Sequence, residues 1–290
     1  MTLGQEEKHD VKLGDAIKCA RSDVRHATSR FLRRRLGRSV PSPLPSHVPI
    51  RKIKNKILSE GLAVDNGAVT WFYIAYDRGD GDPLTNFSLK YLVERFPKDA
   101  KVLVTGCGTG IMAFYLADKG LRNVSGFDLF PECIRVANWV KEEGGYTESD
   151  FFVADGFKPE LSKQYDVITA LHWVFSAWMG NYGNDSPDAE RAYDPDFREQ
   201  RLDELLGHYS PHLKPGGEIL FEITDAVADY RLPEDHPHGE ASKRIYPIRL
   251  TPEQVARCAE RQGLEVVDKK LGISWGHHPR TLHILGKPKS

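Results

Sequence analysis

The chain lacks several of the features that would place it quickly. Only four of its 290 residues are cysteine (Cys19, Cys107, Cys133 and Cys258), scattered without the spacing of a zinc site or a disulfide framework. Reduced thiols in a cytoplasmic protein are the expectation, with no structural metal. No apolar run approaches the roughly 20 residues that span a bilayer. The first ten residues, MTLGQEEKHD, are polar and acidic, so no secretory leader is expected. Net charge is also nearly absent, at −1 overall, which excludes a uniformly basic nucleic-acid binder.

That balance hides an asymmetry. Residues 1–100 carry 18 Lys+Arg against 12 Asp+Glu, and residues 101–290 carry 22 against 29. The front is basic and the body acidic. The length suits one large α/β domain plus an extension.

The most informative stretch is KVLVTGCGTGIMAFYLADKGLRNVSGFD, residues 101–128. Val102-Leu103-Val104 is a short apolar run of the kind a buried parallel strand shows. A glycine turn follows, Gly106-Cys107-Gly108-Thr109-Gly110, then a helical segment from Ile111 to Lys119 with Gly120 as its stop. A second strand, Val124–Phe127, ends in Asp128. Strand, glycine turn, helix, strand, acid is a nucleotide-binding βαβ unit. Glycines let the backbone approach a ligand, and the N–H groups at a helix start favour an anionic or carbonyl partner. A carboxylate at the end of the second strand suits a ribose. Gly110 and Asp128 are 18 residues apart, close to the roughly 20 that this role expects.

The spacing distinguishes nucleotides. A dinucleotide site places its third glycine at the position of Ile111, whereas here it falls at Gly110. The Gly-x-Gly-x-Gly form resembles motif I of the class I S-adenosylmethionine-dependent methyltransferases. The segments GFDLFPECIRVAN, YDVI (165–168) and Leu213-Lys214-Pro215-Gly216-Gly217 are similar to later parts of that family's pattern. A NAD-type fold, or a nucleotide fold without catalysis, is the alternative on the motif alone. The resemblance covers about residues 85–290. It implies a three-layer αβα doubly wound domain with a mostly parallel seven-stranded sheet and an antiparallel last strand. Residues 1–84 fall outside it, as a basic helical extension or cap with a proline-rich linker at 41–49.

The resemblance also implies site residues. S-adenosylmethionine would be held by Thr105, Gly106, Cys107, Gly108, Gly110, Asp128, Leu129, Asp155, Gly156 and Leu171, with Asp155 at the adenine amino group. Tyr73, Tyr76 and Asn86 are further candidates ahead of the glycine turn. One departure stands out: the family carries an acid two residues before the first glycine, and here that position is Val104. Either another residue orients the turn or cofactor affinity is weak. Substitution by another residue is the reading preferred.

On the acceptor side, a sulfonium-bound methyl is already activated, so the protein must align a nucleophile and remove its proton if that nucleophile is a hydroxyl. His172, directly after the fourth strand, is the candidate base, and pocket wall is its alternative role. Trp173, Trp178 and Tyr182 would form an aromatic wall for a ring or sugar, with Glu222 beside them. Asp225, next to Glu222, is a further candidate, and residues 185–196 read as a lid. His236, His238, His277 and His278 read as solvated loop residues rather than a metal site. These residues point to methyl transfer to a small molecule or sugar at oxygen. Methylation of RNA or a protein through the basic N-terminal arm, and an inactive cofactor-binding scaffold, are the alternatives. The basic segments Arg33–Arg35 and Arg51–Lys56 would serve an RNA or an anionic membrane in the first of these, or line a solvated cap helix; the cap is preferred because aromatic interleaving is sparse.

Overall fold

The structure is a computed structural model that describes residues 48–62, 83–171, 173–174, 194–224, 250–275 and 278–289. Its described elements are α1 (Ile50–Ser59), α2 (Pro83–Arg95), β1 (Val102–Thr105), α3 (Ile111–Asp118), β2 (Val124–Asp128), α4 (Pro131–Gly144), β3 (Asp150–Val153), β4 (Tyr165–Ala170), α5 (Pro195–Tyr209), β5 (Leu213–Thr224), α6 (Pro252–Arg261), β6 (Glu265–Trp275) and β7 (His278–Gly286). They form one seven-stranded sheet in the order β3-β2-β1-β4-β5-β7-β6. β1 pairs in parallel with both β2 and β4, and β7 runs antiparallel between β5 and β6. The chain therefore reverses its direction of winding between β1 and β4. In a doubly wound sheet, ligands bind at that switch, outside the carboxyl ends of the strands.

Alternation along the strands divides the core into two layers. Val102, Val104, Val167, Leu220 and Ile284 pack with α1 to α4 on one face. Leu103, Phe127, Ile168, Phe221 and Leu285 pack with α5 and α6 on the other. Burial on both faces is why these strands read as near-continuous apolar runs.

Local signals set the helix starts. Pro131, Pro195 and Pro252 each open a helix, where the missing N–H costs nothing. Asp194 caps α5, and Thr251 caps α6 in a full capping box with Gln254. α2 begins at Pro83, which puts Thr85 and the candidate Asn86 inside its first turn. The Leu213–Gly217 segment lies within β5. It forms a bulge there: Leu213 pairs with Tyr165, and the next pair is Glu218 with Val167. Asp166 ties the amino ends of three strands together, accepting the Lys101 N–H at 2.7 Å and the Lys214 ammonium at 2.7 Å.

α1 packs against α4. Ile53 and Ile57 are buried between them, Lys52 pairs with Glu143 at 2.7 Å, Arg135 pairs with Glu60, and Lys56 lies over the Trp139 ring. Much of the basic character of α1 is thus spent on α4. No described helix is long and apolar enough to cross a membrane.

Candidate cofactor and active site

The site grows from the end of β1. All four residues of that strand are buried, and the chain leaves it through Gly106, Gly108 and Gly110 at φ of 60°, 53° and 85°. Residues with a Cβ avoid this left-handed region. Gly110 is the N-cap of α3, and a Cβ there would meet Phe114 Cε2 at 2.6 Å, so the helix seats directly on the turn. Gly108 differs: a Cβ built on it meets nothing within 4 Å. Open space lies above the middle of the turn, beside Asp128.

Asp128 closes the turn from the neighbouring strand. Its Oδ2 accepts the Gly108 N–H at 2.8 Å and its Oδ1 accepts the Phe130 N–H at 3.0 Å. Burial pushes the carboxyl above its ordinary range, against the pull of the N–H groups of Phe130, Gly108 and Leu129. Each carboxylate oxygen retains acceptor capacity beyond these bonds, which is what two ribose hydroxyls require. Cys107 donates its N–H to the Phe127 carbonyl at 2.8 Å, and burial, then the Asp128 charge, push its thiol well up. It contributes backbone to the turn rather than a reactive thiolate.

The surface beside Asp128 and Asp155, where the adenine is expected, is marked by apolar exposure. Among the described residues four large hydrophobics are exposed, and two of them, Leu129 and Val153, each 50 % exposed, flank the acids. Val153 is the register partner of Asp128. Asp155, on the surface two residues further on, accepts the Phe157 N–H through Oδ1 at 2.8 Å. Two exposed aliphatic side chains between carboxylates fit a flat heteroaromatic ring with a polar edge. Val153 went unnoticed in the sequence, although an apolar residue at a strand end two before an acid was a usable signal.

Thr105 and Trp173 belong together. The Thr105 hydroxyl donates to the Thr169 carbonyl at 2.8 Å and accepts the Trp173 Nε1–H at 3.0 Å. Thr105 thus joins β1, β4 and the segment after β4, and its side chain is committed to that role. Tyr209, unforeseen from sequence, donates its hydroxyl to the Gly156 carbonyl at 2.6 Å. Leu171 is buried at the end of β4, and Glu222, 1 % exposed, lies on β5 opposite Leu282. His172, Trp178, Tyr182, Tyr73, Tyr76, Asp225, His236, His238, His277 and most of segment 185–196 lie outside the described residues. Among those described, no group of three or more His, Cys, Asp or Glu side chains is arranged to hold a metal ion.

Comparison with known proteins agrees with this geometry. The profile of the family described as "Methyltransferase domain" matches residues 84–269. The ribosomal protein L11 methyltransferase of Dechloromonas aromatica is 30% identical over 116 residues, 40% of this chain and 33% of that protein. Its counterpart in Chromobacterium violaceum is 26% identical over 129 residues, 44% of this chain and 38% of that protein. The chain thus matches little more than a third of the length of these curated relatives. In fold it is similar to a TehB-like SAM-dependent methyltransferase from Corynebacterium glutamicum (TM-score 0.51, 19% identity, 78% of this chain and 99% of that one). It is likewise similar to the magnesium protoporphyrin IX methyltransferase of Synechocystis, solved with bound SAH (TM-score 0.50, 13% identity, 70% and 81%). With the glycine turn, Asp128, the exposed Leu129–Val153 pair and the 3-2-1-4-5-7-6 sheet in place, the chain belongs to the class I S-adenosylmethionine-dependent methyltransferases.

Proposed function

We propose that the protein methylates a small molecule or a sugar at a hydroxyl oxygen, with His172 as the base that takes the hydroxyl proton. S-adenosylmethionine supplies an electrophilic methyl group when bound. Asp128, Asp155 and the glycine turn would hold the nucleoside, leaving the acceptor to the carboxyl ends of β4 and β5. The observation that carries this reading is the anchoring of the two neighbours of His172. Leu171 is buried, and Trp173 is tied to Thr105 at 3.0 Å. Both neighbours follow β4, at the carboxyl edge of the sheet where ligands of doubly wound folds bind. An imidazole titrating near neutrality suits removal of a proton from an alcohol or phenol.

A protein substrate is the second reading, favoured by the match to ribosomal protein L11 methyltransferases. Only 33% and 38% of the length of those proteins is matched, so the match alone does not carry their substrate to this chain.

The test is methyl transfer from labelled cofactor to a panel of alcohols, phenols, sugars and ribosomal proteins. Turnover on a hydroxyl acceptor that falls at least about a hundredfold in His172→Ala, the size of a lost general base, with cofactor affinity kept, supports the proposal. Turnover confined to a protein amine, or near-normal turnover in the variant, overturns it.

A further inference from the structure

Trp173 looks from sequence like the first plank of an acceptor pocket. Its surroundings point elsewhere. A Cβ built on Gly106 would lie 2.7 Å from Trp173 Cγ, and one built on Gly156 would lie 2.5 Å from Cη2 at the other end of the same indole. Phe157 meets it edge-on at 5.9 Å and 88°. Its Nε1–H is held by Thr105. The indole is wedged along its length between the glycine turn after β1 and the turn after β3 that carries Asp155.

The wedge is tied in by hydrogen bonds on both sides. Thr105 fixes Nε1 and bonds the Thr169 carbonyl, and Tyr209 holds the Gly156 carbonyl. The two turns joined in this way are those that carry the cofactor residues: Gly106 to Gly110 on one side, Asp155 and Gly156 on the other. Their separation sets the span between the methionine and adenine ends of the ligand. β2 lies between them, joined to the glycine turn by the Cys107 N–H to the Phe127 carbonyl at 2.8 Å and to the second turn by the Ala154 N–H to the Asp128 carbonyl at 3.1 Å.

We propose that Trp173 is a positioning residue of the cofactor cleft, its indole bracing the glycine turn against the Asp155–Gly156 turn so that both ends of S-adenosylmethionine are met at once. A ligand site pre-set by a rigid aromatic spacer binds without ordering two loops. The glycine at 156 is then explained by Trp173. Gly156 is absent from the positive-φ residues, so the indole, not the backbone, is what excludes a side chain there. The inference rests on the cofactor of the family and is independent of the acceptor.

The experiment is calorimetric titration of S-adenosylmethionine and S-adenosylhomocysteine into the full chain, with the melting temperature of each apo protein recorded beside it. The variants are Trp173→Phe, Trp173→Ala, Gly156→Ala and the Gly156→Ala/Trp173→Ala pair. Trp173→Ala should weaken both ligands at least about tenfold, and Trp173→Phe, which keeps a ring and loses the hydrogen bond, less than that. Gly156→Ala should match Trp173→Ala in the wild-type background and add almost nothing in the Trp173→Ala background, the signature of one shared contact. Affinity unchanged in Trp173→Ala, or increased because the indole had stood in the ligand's place, overturns the brace. So does additivity of the two substitutions. Should Trp173→Ala not fold, Trp173→Phe and Gly156→Ala decide between the brace and its absence: both weaken the ligands if the indole braces the cleft, and neither does if it does not. A wild-type chain that binds neither ligand overturns the cofactor reading itself, and the brace with it.

Discussion

The carboxylate of Asp128 accepts the backbone N–H of Gly108 at 2.8 Å, from the end of one strand to the turn that follows its neighbour. This contact holds the turn although Val104 stands where the family carries an acid. Val104 is 3 % exposed in the apolar layer with Val102, Val167 and Leu220, where an unpaired carboxylate would be costly. Asp128 orients the turn from the side. One acid therefore shapes the glycine turn, and in the proposed reading the same acid would accept the ribose.

Asp128→Asn is expected to separate from wild type most clearly in its pH dependence. The amide is isosteric, and one of its two ends is a donor that cannot accept the Gly108 N–H. Cofactor affinity at pH 7 should fall at least about tenfold, in keeping with about 1.5–3 kcal/mol for a hydrogen bond to a charged group. Burial raises the Asp128 carboxyl, so the wild type should lose affinity on acidification at a pH above the ordinary aspartate value of about 3.9. The sign follows because only the ionised form accepts on both oxygens. Titration calorimetry across pH checks this; equal slopes for the two proteins would refute it.

Tyr91→Phe tests a carboxylate with no part in the chemistry. Glu218, 2 % exposed in the amino half of β5, accepts the Tyr91 hydroxyl at 2.7 Å and pairs with Arg95 at 3.1 Å. Burial, then Glu218 as acceptor, push the Tyr91 phenol up to about 12. Removing the hydroxyl strips a buried charge of one of its two donors. The cost should be about 1–3 kcal/mol in urea unfolding, at unchanged cofactor affinity, because the cluster lies away from the carboxyl edge of the sheet. A loss of affinity as large as the loss of stability would contradict this.

What could be read ahead of the structure follows from how local each signal is. The glycine turn and Asp128 are written in one short stretch of chain, and each folds as its spacing implies. The sequence of α1 advertises Arg51, Lys52, Lys54 and Lys56 as a basic face. That Lys52 meets Glu143 and Lys56 meets Trp139 is a tertiary fact with no local trace. Glu218 and His283 were illegible for a related reason: alternation tells which residues share a face of a strand, not that both faces are covered. Trp173 follows β4 and so reads as an acceptor-side aromatic; its contact with Gly156 spans 17 positions of chain and leaves no local trace.

The docking of α1 on α4 supplies a contrast between apolar and ionic contributions. Ile53 and Ile57 are 1 % and 0 % exposed. Ile57→Ala should cost about 2–5 kcal/mol through lost burial and the cavity left behind. Lys52→Ala removes a pair whose side chains are 68 % and 32 % exposed, and should cost at most about 1 kcal/mol, shrinking further in salt. Thermal denaturation at low and high ionic strength checks both. A larger effect from Lys52 would make α1 an electrostatically held arm rather than an integral part of the fold.

His283 should make the protein acid-sensitive. It sits on β7, 1 % exposed, stacked on Phe221 at 5.3 Å, and neither ring nitrogen has a hydrogen-bond partner. Burial, with Lys269 across on β6 adding to it, lowers its pKa to about 4. The unfolded chain takes up this proton near pH 6.5 and the folded chain only near 4. Between those values the unfolded state binds more protons, so stability rises with pH and is lost as pH falls. At about 1.4 kcal/mol per pH unit the full window represents about 3 kcal/mol. His283→Phe keeps a flat ring against Phe221 and removes the proton site. Urea unfolding at pH 7 and pH 5 should show the wild type losing about 2 kcal/mol more than the variant over this interval. Identical losses would mean that the imidazole finds water or a partner when charged, and that the acid sensitivity of the fold lies elsewhere.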